Sequence, residues 1–173
     1  ADNSPYTGGK MSNFEGGTTV PMMMEWAGKI DKKVTYNNMV SLLDIVPTIL
    51  DAINSPSAKN KFDGVSLLPY LKSLEKKPHQ DLFWKTGYVK SIISGDFKLH
   101  INEKENLITL NKLDEDPLEE NNLISIYPEK AIELQKKWNK WNESLKKAKW
   151  KSNADVSIPL TNAENSKRHY FPW

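Results

Sequence analysis

Lys85 to Ile101 reads Lys-Thr-Gly-Tyr-Val-Lys-Ser-Ile-Ile-Ser-Gly-Asp-Phe-Lys-Leu-His-Ile, and a polar break at Asn102 to Asn106 separates it from Leu-Ile-Thr-Leu-Asn-Lys-Leu at 107–113. Tyr88, Ile92 and Ile93 precede the Ser94-Gly95-Asp96 turn, Phe97, Leu99 and Ile101 alternate after it, and Leu107 to Leu110 make a third apolar run. A period of two between turn residues predicts an antiparallel meander with one dry and one wet face. Leu82-Phe83-Trp84 is the expected first strand. The dry face needs a cover. Pro128 to Ala148 fits it, because Leu134, Trp138, Trp141, Leu145 and Ala148 recur at helical spacing while Lys, Glu, Asn and Gln fill the other faces. Pro128 suits the first helical position and Glu129 the positive end of the helix.

The chain has 173 residues, enough for one domain or one domain plus part of another. Lys+Arg is 24 and Asp+Glu is 22, a formal charge of +2, which argues against nucleic acid or a membrane surface as the partner. The basic side is nearly all lysine, with Arg168 the one arginine, so bidentate phosphate or guanine reading is not the main task. The absence of cysteine removes disulfides and thiolate metal sites. No run approaches the 18 apolar residues of a membrane span. The chain opens without Met on a glycine-rich segment and is expected to be part of a longer protein.

Gly8-Gly9-Lys10 and Glu15-Gly16-Gly17 mark backbone that turns tightly or approaches something closely. Val20 to Trp26, with three methionines in a row, reads as a strand buried on both faces of a larger parallel sheet. Asp44 is expected to cap a helix running to Ile53, its side chain taking the N–H of Val46, with Pro47 at the third position and Ile45, Ile49 and Ile53 in one stripe. Ser66-Leu67-Leu68-Pro69 opens a shorter helix to about Leu74 in the same way. Asp114 to Asn122 is an acidic surface loop rather than a calcium loop, since it lacks the Asp/Asn alternation and central Gly of an EF-hand. His79, His100 and His169 form no motif, and His100 on its strand reads as a structural histidine. Lys10 is the candidate with chemistry, because a lysine in glycine-rich backbone places a point charge against an oxyanion beside free amides. Gly-Gly-Lys is not a P-loop, whose glycine spacing and following Ser/Thr are absent. Asp2 and Asn3 are oxygen ligands suited to a hard cation.

Gly8 to Pro21, followed by Trp26-Ala27-Gly28-Lys29-Ile30, resembles the segment of sulfatases in which a lysine precedes an aromatic-Glu-Gly-Gly run and a strand ending in Trp-x-Gly. Asp44 to Leu50, Asp63 to Pro69, Ser94 to Leu99 and Leu113 to Leu123 are similar to later blocks of the same family, in family order. The resemblance covers nearly the whole chain. It implies the C-terminal portion of a two-part enzyme whose N-terminal catalytic α/β domain, alkaline-phosphatase-like, holds a formylglycine made from Cys or Ser and a Ca²⁺ ion. It also implies a C-terminal four-stranded antiparallel sheet covered by a helix. The maturation motif is not in this chain: there is no Cys, and Arg168 has Glu164 where Cys or Ser would stand. Of the sulfate-binding residues the resemblance carries over Lys10, as a catalytic and substrate-binding group. The metal-binding Asp-Asn pair of the family lies further upstream of its lysine than Asp2 and Asn3 do here. Thr19 stands where members often have Arg.

The expected fold is α/β with an α+β arrangement. Residues 1–80 are the trailing segment of the catalytic domain and 81–173 the C-terminal sheet and helix. The partners implied are the N-terminal catalytic domain of the same protein and a sulfated small molecule or glycan, with a periplasmic or secreted location. Ca²⁺ would be bound mainly by the N-terminal part, and the chain alone would be inactive. The rivals are a non-catalytic binding or structural module, and a phosphodiesterase or phosphatase of the same superfamily.

Overall fold

In chain order the elements are α1 (Glu15–Thr18), α2 (Ile45–Ala52), α3 (Leu68–Leu71), β1 (Asp81–Thr86), β2 (Val89–Ser94), β3 (Phe97–Asn102), β4 (Leu107–Lys112) and α4 (Pro128–Ser144). They come from a computed structural model that describes residues 2–10, 12–31, 33–59 and 61–147. The chain divides into two compact units, one built from the described residues of Ala1–Pro21 and Phe83–Trp173, the other from Met22–Leu82. The architecture is α+β.

The meander forms as its alternation predicts, in the order β1-β2-β3-β4. β2 pairs antiparallel with β3 through Ile92 opposite Leu99, and β3 with β4 through Leu99 opposite Leu110. Gly95, at φ 59°, supplies the left-handed residue of the β2–β3 turn, a conformation that a Cβ disfavours. Ile92, Leu99, Ile101 and Leu110 project to one face and meet Ala131, Leu134 and Trp138 of α4, which together form the core. Trp141 and Phe83 flank that core with their rings stacked at 4.9 Å. The stripe predicted on α4 is thus the one that is buried. It ends earlier than predicted: Leu145 lies past the last turn and is exposed, and Ala148 falls outside the described residues.

The second face of the sheet is not wet, contrary to the expectation from alternation. Ser91, Lys98, His100, Asn102 and Asn111 all point there by register, and all are buried. The glycine-rich segment lies over them, with Phe14 stacked on the His100 ring at 4.3 Å.

Three local expectations are corrected. Val20 to Trp26 forms no strand, and Met22, Met23 and Met24 are exposed; the segment pairs with no strand among the described residues, and an unpaired strand has no ladder to hold it. Asp44 does not cap α2 with its side chain. It sits on a 3-10 turn, Leu42–Asp44, that is opened by a capping box with Ser41. The Asp44 carboxylate accepts the N–H groups of Ser41 at 2.7 Å and Val65 at 2.9 Å and lies 2.8 Å from His79 Nε2, so a buried three-way junction takes it in place of the Val46 amide. The helix after Ser66 is only α3, four residues long, and the Ser66 hydroxyl is turned to Asp51. In the unit Met22–Leu82, Ile45, Ile49 and Ile53 of the α2 stripe are exposed, while Pro47 and Thr48 face inward.

Candidate functional site

The glycine-rich segment is closed on itself before it meets the sheet. Gly16 N–H donates to Thr7 O at 2.8 Å, Ser12 N–H to Gly9 O at 2.9 Å, and the Asn3 side-chain amide to Gly16 O. A Cβ on Gly16 would lie 2.5 Å from Gly8 O and 2.6 Å from Thr7 O, so the Glu-Gly-Gly run is glycine because its backbone lies against the strand of chain before it. Lys10 is exposed at the turn between the two glycine pairs.

Side-chain and backbone contacts seat this loop on the sheet and on the acidic loop that follows it. The Thr7 hydroxyl donates to Leu118 O at 2.6 Å, the Thr86 hydroxyl to Asn13 Oδ1 at 3.1 Å, and Phe14 stacks on His100. Glu15 is held twice: its N–H donates to Glu119 Oε2 at 2.6 Å and its carboxylate takes Lys98 Nζ at 2.8 Å. Lys98 Nζ also lies 2.9 Å from Glu119 Oε1, and the side chains of Lys98 and Glu119 are both fully buried. One ammonium therefore serves two carboxylates from distant parts of the chain. Burial pushes the Glu119 carboxyl above its ordinary range, and the Lys98 charge opposes that push. Burial likewise lowers His100 to about 3, with the Lys98 charge adding to the effect, so the ring is neutral under Phe14. Its Nδ1 meets the Ser91 hydroxyl at 2.8 Å, as a structural histidine does.

The acidic loop reads differently in three dimensions. Asp116 and Glu119 are buried, not surface residues. Asp116 accepts from the N–H groups of Glu120 at 3.0 Å and Asn121 at 2.8 Å, folding the loop so that Glu119 turns toward Lys98.

Residues 9–148 match the family model for the C-terminal region of N-sulphoglucosamine sulphohydrolase. The chain belongs to the sulfatase family. Among curated sulfatases, an uncharacterized sulfatase of Escherichia coli K12, YdeN, is 41% identical over 88 residues, 50% of this chain and 16% of that protein. Human arylsulfatase A is 33% identical over 98 residues, 53% of this chain and 19% of the relative. The crystal structure of Ps i-CgsB superposes with a TM-score of 0.75 at 21% identity, over 87% of this chain and 34% of that one. A Bacteroides thetaiotaomicron structure, described through the metabolism of multiple glycosaminoglycans, follows with a TM-score of 0.67 at 22% identity, over 80% and 32%. These two support the fold. The chain spans less than a fifth of the length of the curated sulfatases it matches here.

Within this sulfatase chain the blocks that carried the resemblance converge. Glu15 of Glu-Gly-Gly, Lys98 of Gly-Asp-Phe-Lys-Leu and Glu119 of Asp-Pro-Leu-Glu-Glu are the three members of the buried ion triad. Sequence reasoning singled out Lys10 and passed over all three, although each stood in a quoted block. Of the cation candidates, Asp2 Oδ1 accepts both the N–H and the hydroxyl of Ser4, and the Asn3 side-chain amide donates to Gly16 O. Among the described residues no three His, Asp or Glu side chains gather to share a metal ion. His79 meets Asp44 from 35 positions away, its Nε2 lying 2.8 Å from Asp44 Oδ2.

Proposed function

We propose that this chain is the C-terminal portion of a sulfatase that hydrolyses sulfate esters, and that Lys10 is the group it contributes to the sulfate. The observation that carries the reading is the loop itself: an exposed lysine at the turn of a segment too tightly closed to drift, seated on a sheet by buried contacts. In ester hydrolysis negative charge grows on the leaving oxygen while the sulfate oxygens keep theirs. A preplaced ammonium stabilises that distribution more than the ground state. The formylglycine nucleophile and the calcium ion of the family belong to the N-terminal catalytic domain, which is the partner this reading requires. Residues 1–80 are then the trailing segment of that domain and 81–173 the subdomain on which its last loop rests. A sulfated small molecule or glycan is the substrate class, and a periplasmic or secreted location goes with the same reading.

A sugar-stacking module is disfavoured by the two tryptophans of α4, since Trp138 is buried and Trp141 is stacked on Phe83. The test is turnover of 4-nitrophenyl sulfate. The full-length enzyme is expected to lose about 100-fold or more in kcat/KM on Lys10→Ala, by the usual worth of one charge-stabilising group, and residues 1–173 alone are expected to be inert. Full activity of the Lys10→Ala enzyme removes the role given to Lys10, and turnover by the chain alone removes the division of labour.

A further inference from the structure

We propose that the Glu15–Lys98–Glu119 triad is a positioning device that sets where Lys10 meets the sulfate group, so that the antiparallel sheet acts on the reaction through the glycine-rich loop. This rests on the reading of Lys10 above.

Lys98 is a fixed origin. It lies on β3, which is hydrogen-bonded to β2 on one side and β4 on the other, and its side chain is wholly buried. From there the ammonium holds Glu15, the first residue of α1, while Glu119 holds both that ammonium and the Glu15 amide. Main chain and side chain of one residue are thus clamped to the middle of the sheet. Lys10 is five positions away within a loop whose ends are tied by the Gly16–Thr7 hydrogen bond, so a displacement of Glu15 is passed to the Lys10 turn.

Two features separate this from ordinary fastening. A buried ion cluster is a poor way to gain stability, because desolvation cancels much of the attraction, and in some proteins such clusters serve to select one geometry over its neighbours. Phe14 on His100 already supplies apolar attachment at the next residue. The backbone at Glu119 is also in the left-handed region, at φ 58°, where a non-glycine residue is strained. The loop holds that strain at the residue whose carboxylate meets Lys98 and Glu15. Displacing a reacting group by about 1 Å costs roughly 100-fold in rate, so registry of this kind has a kinetic consequence.

The experiment is a mutant cycle in the full-length enzyme with 4-nitrophenyl sulfate as substrate. One variant neutralises the triad with matched shapes, Glu15→Gln, Lys98→Met and Glu119→Gln together, avoiding an orphaned buried charge; the second is Lys10→Ala, and the third combines them. The neutralised triad is expected to lower kcat/KM roughly 10- to 100-fold with the urea midpoint of the sheet retained, and to add less than about 2-fold once Lys10 is alanine. If the triple variant fails to fold, Glu119→Gln alone, which keeps the Lys98–Glu15 pair, enters the same cycle. Multiplying losses, or an unchanged kcat/KM with the triad neutralised, overturn the positioning role and leave Lys10 its own. Lys10→Ala without effect overturns the reading of Lys10 and this proposal together.

Discussion

Trp138→Ala removes the largest side chain of the core, and the structure sets how much should be lost. Trp138 is 2% exposed, packs with Ile92, Leu99, Leu110 and Leu134, and donates from Nε1 to Trp84 O at 3.0 Å. Its ring also meets Trp141 edge-on at 5.8 Å and lies under Lys90 Nζ at 4.8 Å. Truncating a buried aromatic to alanine costs about 3–5 kcal/mol through lost transfer energy and the cavity left behind. The hydrogen bond to Trp84 adds about 1 kcal/mol, and the edge contact about 0.5–1.5 kcal/mol. These overlap with the truncation cost, so about 4 kcal/mol is the working figure. A typical domain has about 5–15 kcal/mol in all. With a urea dependence of about 1–3 kcal/mol/M, the midpoint should fall by about 2 M or the unit should be unfolded without denaturant. Urea titration of the 173-residue chain, followed by far-UV circular dichroism, measures it. A midpoint within about 0.3 M of wild type would refute the packing argument and return the indole to a surface role.

Two further outcomes are expected from the polar face. His100 has its folded pKa below the unfolded value, so the unfolded chain takes up the proton first; the stability present above about pH 6.5 is lost progressively as pH falls toward 3. Between pH 7 and pH 5 this amounts to about 2 kcal/mol, read from urea midpoints, and His100→Gln should remove that part of the slope; an identical slope in the variant would exclude His100 as its source. Gly16→Ala drives a methyl against the carbonyls of Gly8 and Thr7 and should cost about 1–3 kcal/mol by overpacking. The sign is checked by thermal unfolding, and a variant as stable as wild type would mean that the loop is not closed as described.

What could be read in the sequence was whatever a local period announces. Phe97, Leu99 and Ile101 between turn residues declare a strand, and Leu134, Trp138 and Trp141 declare a helix face, because each pattern needs only its own neighbours to be interpreted. The same alternation puts water on the face that carries Lys98 and His100, although His100 is the structural histidine expected. A period of two says that they face away from the helix, and it cannot say whether water or protein lies there; the cover comes from residues 13–15, more than eighty positions upstream. Asp44 fails as a cap for a related reason, since Val65 and His79 compete for its carboxylate from 21 and 35 positions away. The run of methionines at 22–24 shows the remaining weakness, because an apolar run names no partner strand.

The two faces of the sheet should therefore respond to substitution in different ways. On the helix face, Ile92, Leu99, Leu110 and Trp138 contribute area removed from water, and their loss appears as stability. On the opposite face, Lys98 and Glu119 contribute little net stability for the charge they bury, because desolvation takes back most of what their pairing supplies. A buried ionic arrangement there, at the seat of the loop that presents Lys10, is best understood through what it orients. With the role proposed for Lys10, the alternation that places hydrophobic and polar residues on opposite sides of β3 would separate holding the subdomain together from aiming that lysine.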